Sequence, residues 1–70
     1  MIILEIQHNE DGTIGINKWV ELDRAEAEAL YHSKLSVAAK SNVYDHTVVM
    51  LDADGTRVKG ETYHHGTQEA

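Results

Sequence analysis

The sequence predicts a two-layer α+β fold, a small antiparallel sheet with one helix packed on one face and the element order ββαββ. Three observations predict it. Residues 2–8, IILEIQH, alternate with the period of a strand and run into a glycine turn. The run DRAEAEALYHSKLSVAAKS, from Asp23 to Ser41, carries a helix start signal and helical periodicity. It leads into DHTVVMLDADGTRVKGETYHH, a strand, turn and strand ending at His65. An antiparallel sheet crossed by one helix is the economical way to give these elements a common core.

In the first strand Ile2, Leu4 and Ile6 share one face and Ile3, Glu5 and Gln7 the other, the pattern of a half-buried strand. Asn9-Glu10-Asp11-Gly12 is a turn, because Gly12 supplies a positive φ without steric cost. Residues 13–22 form a second extended segment. It is interrupted by Gly15 and Asn17, where a strand glycine marks a bulge, and recovers at Trp19-Val20-Glu21-Leu22.

Asp23 is a good N-cap, and Glu26 stands three residues later, at the spacing of a capping box. Asp23, Glu26 and Glu28 place negative charge at the positive end of the helix dipole, and Lys34 and Lys40 lie toward its negative end. Without proline the helix extends to about Ser41, where Asn42 suits a left-handed C-cap. At about 100° per residue, Ala27, Leu30, Tyr31, Leu35, Val37 and Ala38 fall on one arc, the face expected on the sheet. Lys34 falls near the middle of that arc. Either its stem packs while its ammonium snorkels to the edge, or it is a cation held for an anionic ligand. Roughly opposite lie Ala25, Ala29, His32, Ser36 and Ala39, a face almost without bulk that another backbone can approach closely; these five are the expected interface.

After Val43 and Tyr44, residues 46–52 form the most apolar strand. Four consecutive apolar residues, Val48 to Leu51, imply that both faces are partly covered, by a central place in the sheet or by an oligomer contact. Asp52-Ala53-Asp54-Gly55-Thr56 reads as a type I turn with Gly55 in the left-handed region. Pairing Asp52 with Thr56 sets Met50 opposite Val58 and Val48 opposite Gly60. It also places Arg57, Lys59 and Glu61 on one face and Val58, Gly60 and Thr62 on the other. Residues 1–65 make a single domain, and residues 66–70 are expected to be a flexible tail.

A chain of 70 residues buries only about 60% of its unfolded surface, so its stability is marginal unless something staples it. The chain has no cysteine, which excludes disulfides and thiolate metal sites and leaves oligomerisation as the staple. Six Lys and Arg against twelve Asp and Glu give a net charge of −6, which opposes general attraction to nucleic-acid phosphates or an anionic bilayer. No apolar run approaches the roughly 20 residues of a membrane helix, and the Met-Ile-Ile start lacks a signal peptide's basic region. A cytoplasmic protein with no membrane partner and no direct nucleic-acid partner is expected.

Histidines 8, 32, 46, 64 and 65 show no zinc-site spacing, so no metal and no cofactor is assigned. Ser33, Ser36 and Ser41 have no recognisable elbow or base partner, and no catalytic residue is assigned. The expectation is a protein that is not an enzyme.

The segment from Tyr31 to His65 resembles a family of short proteins encoded by bacteriophages and prophages. In that family a helix of the type Y-H-x-x-L-x-x-A-A precedes a strand, a D/E-G turn and a strand ending near E-x-Y-x-H. The matching residues are Tyr31, His32, Leu35, Ala38, Ala39, His46, Gly55, Glu61, Tyr63 and His65, and Lys34 stands where the pattern has an apolar residue. The resemblance implies a phage accessory gene acting in a bacterial cytoplasm and carries no reaction.

Two classes of function follow. The first is a non-catalytic binding protein that counters host defence by sequestering a small anionic, nucleotide-type ligand or by blocking a defence protein. Its ligand-binding candidates are Tyr31, Lys34, Arg57, Lys59 and Tyr63, converging with Trp19 and histidines at an oligomer groove. The second is a structural or regulatory phage protein whose self-association is its function. Both expect a homo-oligomer, at least a dimer.

Overall fold

The structure is a computed structural model that describes residues 1–66, so the expected tail lies largely outside the described residues. Strands β1 (Ile2–His8) and β2 (Ile14–Val20), helix α1 (Arg24–Lys40), and strands β3 (Asp45–Leu51) and β4 (Arg57–His64) follow in the predicted order. They form a four-stranded antiparallel sheet in the order β2-β1-β3-β4, with the helix across one face. The apolar strand β3 is central in the sheet, with His46, Val48 and Met50 buried toward the helix and Val49 and Leu51 on the other face.

The two hairpins share one turn chemistry. Gly12 N–H donates to the Asn9 carbonyl at 3.0 Å and Gly55 N–H to the Asp52 carbonyl at 2.9 Å, with φ of 92° and 90° at the two glycines. Strand β2 pairs with β1 in unbroken register, so Gly15 makes no bulge. The bulge lies on β4 instead. Asp52 and Thr56 pair as predicted, with Asp52 N–H donating at 2.8 Å, but the register shifts between Leu51 and Met50. Val58 becomes the extra residue and packs against the core. Met50 therefore faces Lys59 rather than Val58, and Val48 faces Glu61 rather than Gly60. The same shift parts Arg57, opposite Leu51, from Lys59, opposite Met50, so these two cations do not share a sheet face as the plain alternation had them. Gly60 is required for a different reason from the room above Val48 that the plain register implies: a Cβ there would sit 2.9 Å from the Val48 carbonyl oxygen.

Asp23 caps the helix, its carboxylate accepting the Glu26 N–H at 3.3 Å. At the other end Ser41, extended at φ −76° and ψ 168°, is the cap, and Asn42 does not take the left-handed conformation. Ser41 replaces that motif with its own groups. Its N–H and its hydroxyl both donate to the Ala38 carbonyl.

Ile3, Ala27, Tyr31, Ala38, Val48 and Met50 form the buried core, with Met1, Trp19, Leu30, Leu35, Val58 and Tyr63 packed around it. Five of the six residues on the predicted helix arc meet the sheet or its rim. Val37 does not: it sits at the arc's outer margin and is 55% exposed.

Candidate functional site

The alternation of β1 is inverted with respect to polarity. Ile3, Glu5 and Gln7 face the helix, as the burial of Ile3 and Glu5 requires, so Ile2, Leu4 and Ile6 point to the opposite face. Cross-strand partners share a face, and the registers extend this surface across the sheet. Strand β2 adds Val20, Lys18, Ile16 and Ile14, and β3 adds Leu51, Val49, Thr47 and Asp45. The far edge is polar, with Arg57, Gly60, Thr62 and His64. Eight aliphatic side chains, Ile2, Leu4, Ile6, Ile14, Ile16, Val20, Val49 and Leu51, thus occupy the side of the sheet that no element of the chain covers. Ile14, Ile16 and Val20 are 58%, 63% and 61% exposed. Contiguous apolar area of this kind marks an interaction surface far more often than isolated exposed leucines do.

Beneath it, on the helix side, Glu5 and His46 occupy positions that an apolar pair would normally fill. The His46 Nε2 lies 2.7 Å from the Glu5 carboxylate, and its Nδ1 lies 2.8 Å from the Ser41 hydroxyl. Asn17 donates to the other Glu5 oxygen at 3.0 Å. Burial raises the Glu5 pKa, but hydrogen bonds from His46, Asn17 and Gln7 and the charge of His46 outweigh it and hold the carboxyl below its ordinary value. Serine, histidine and glutamate in line are the residue types of a proton relay. Here the Ser41 hydroxyl also caps the helix at Ala38, 3.1 Å away, and accepts the Val43 N–H. With the ring doubly protonated every donor has an acceptor. With a neutral ring, Nε2–H stays on Glu5 and the Ser41 hydroxyl turns to Nδ1. In both arrangements the chain ties the end of α1 to β1 through β3. Among the described residues no buried side-chain polar atom lacks a partner.

The sequence-predicted ligand residues fall in separate places. Lys34 snorkels from the middle of the helix arc to the face of Trp19 on β2, its Nζ 4.3 Å from the ring centroid. Lys59, on β4 at the opposite edge, pairs with Glu28 and lies 5.1 Å over the Tyr31 ring. Its hydrogen bond holds the Glu28 carboxyl below the usual range against the opposing effect of burial, and the charges of Lys59, Arg24 and His32 add to it. Tyr31 is buried, and burial, then the Glu61 carboxylate, push its phenol up. Arg57 folds back to the Gly60 carbonyl at 3.1 Å. Tyr63 stacks on His65, whose Nε2 reaches the Ala38 carbonyl at 3.0 Å. Tyr31, Lys59 and Tyr63 belong to one side of the molecule, with the Arg57 charge in reach of the Tyr31 phenol; Lys34 is elsewhere.

The predicted interface residues Ala25, Ala29, His32, Ser36 and Ala39 all lie on the outer face of α1, away from the buried core. His32 is edge-on to Tyr31 and 3.6 Å from Glu28. His64 pairs with Asp45 at 2.6 Å, and among the described residues no histidine and carboxylate group could hold a metal ion. No described helix is long and apolar enough to cross a membrane.

Sequence reasoning missed Glu5, Asn17, Ser41 and His46 as a unit, because the pairing of β1 with β3 that joins them spans 41 positions. It read the alternation of β1 but did not assign the apolar side to the outside. No family model, curated protein or solved structure matches this chain.

Proposed function

We propose that this chain is a non-catalytic binding module that works by association through the sheet face away from its helix. The observation that carries the reading is the inversion of β1, which turns Ile2, Leu4 and Ile6 outward and Glu5 and Gln7 inward. A monomer would be expected to place the aliphatic side under the helix. Strand β2 supports the same reading, since its Ile14, Ile16 and Val20 gain nothing from the fold of a single chain. The second class named from the sequence, a structural or regulatory protein acting through self-association, fits this surface, and so does the blocking of a protein target in a phage-infected cell. A small anionic ligand is less well served. Lys34, Lys59 and Arg57 each already meet Trp19, Glu28 or the Gly60 carbonyl. Ser41 is likewise engaged as a helix cap, which favours a structural part for the buried relay.

The chain has no native cysteine, so a single introduced thiol reports on one place. Ile16→Cys and Ala29→Cys, each expressed in bacterial cells and treated with a membrane-permeant maleimide, should differ. Protection at position 16 with full labelling at position 29 supports the reading, and equal, rapid labelling at both refutes it.

A further inference from the structure

We infer that the occupant of the uncovered sheet face is a second copy of this chain, stacked face to face about a two-fold axis that runs along the strands. This deepens the preceding reading and rests on it. The first argument is area. Four strands at about 4.8 Å spacing and seven residues at about 3.3 Å rise give a face of roughly 19 by 23 Å, or about 440 Å² in projection. Two such faces, with side-chain relief added, bury on the order of 1,000 Å² or more, where specific interfaces begin.

The second argument is complementarity of the surface to itself. An axis along the strands, between β1 and β3, exchanges those two strands and exchanges β2 with β4. It lays Ile2 over Leu51 and Leu4 over Val49 of the other copy, pairs that already share register positions within one chain. It also sets Asp45 over His8, and places Lys18 and Val20 at the polar rim formed by Gly60 and Arg57. A two-fold axis across the strands would instead press the Asp45 carboxylate, paired with His64, onto Leu51 and the Lys18 ammonium onto Ile16, polar groups against aliphatic ones. Twisted sheets pack about 10 Å apart at about −30°, which keeps these rows facing without exact superposition.

The test is sedimentation equilibrium of the purified full chain from low micromolar to millimolar concentration. Wild type should pass from one-chain to two-chain mass. Val49→Asp and Ile16→Asp should each weaken the dimer by at least about a hundredfold, while Ala29→Trp leaves it unchanged. Circular dichroism checks that each variant is folded. Should the Asp variants fail to fold, thiol reactivity of Val49→Cys gives the same answer, falling as concentration rises if the faces stack. A dimer in which the thiol of Val49→Cys stays fully reactive would be joined elsewhere, at a sheet edge or through the helix, and would overturn the proposal. One-chain mass at every concentration would also overturn it. In that case protection of the Ile16→Cys thiol in cells, with free reactivity in the pure protein, would leave the binding-module reading standing with a different protein as partner.

Discussion

Removing either member of the Glu5 and His46 pair should cost far more than removing both. His46 is 1% and Glu5 6% exposed, and their contact is 2.7 Å. In Glu5→Leu the buried Nε2–H loses its acceptor, whereas exposed Asn17 turns to water; in His46→Leu a carboxylate stays buried with Asn17 as its main donor. Leaving one such group unpaired costs about 2–4 kcal/mol. A chain of this size has roughly 4–10 kcal/mol in all, so each single variant should lose a large part of its stability. The double variant Glu5→Leu/His46→Leu restores an apolar layer between Ile3 and Val48 and should lose about 1 kcal/mol or less. Urea unfolding at constant m-value reads all four corners of the cycle, with an expected coupling of about 3 kcal/mol or more. Additivity within about 0.5 kcal/mol would refute the reasoning, because it would mean that the two groups do not satisfy each other. The pH dependence has a definite sign. Since folding lowers the Glu5 carboxyl below the ordinary 4.5, its contribution is full above that pH and is lost as pH falls through the folded-state value. Wild type and Glu5→Gln should therefore converge in stability toward acid.

Gly60→Ala should destabilise by about 1–3 kcal/mol, because the added methyl meets backbone at Val48 and Val49, and a melting temperature equal to wild type would place the bulge elsewhere. Gly55→Val should lower the melting temperature clearly, since a β-branched residue is strongly disfavoured at φ 90°. Lys34→Met should change Trp19 fluorescence and cost at most about 1 kcal/mol, the size of an exposed cation–π contact; unaltered emission would mean that the ammonium does not sit on the indole.

The fold was legible because its signals are local. Asp23, the two Asp-Gly turns and the alternation of β1 each specify a few neighbouring residues, and together they leave one economical arrangement. The register of β4 was not legible, because the bulge at Val58 is set by packing on the core rather than by the turn. The buried relay depends on the long-range pairing of β1 with β3, and no local period encodes it. The predicted interface on α1 was drawn from small residues, which also serve a helix simply as good helix formers. The proposed surface follows from the location of Glu5: its tie to His46 goes with the side of β1 that faces the helix, and three aliphatic residues face out.

The most direct test of that surface is an isotope-filtered NOE experiment on an equimolar mixture of labelled and unlabelled chains at high concentration. Contacts between copies should join the methyl groups of Leu4 to those of Val49 and the methyl groups of Ile2 to those of Leu51. Contacts confined to the methyl groups of Ala25, Ala29 and Ala39 would contradict the account and return the interface to the helix.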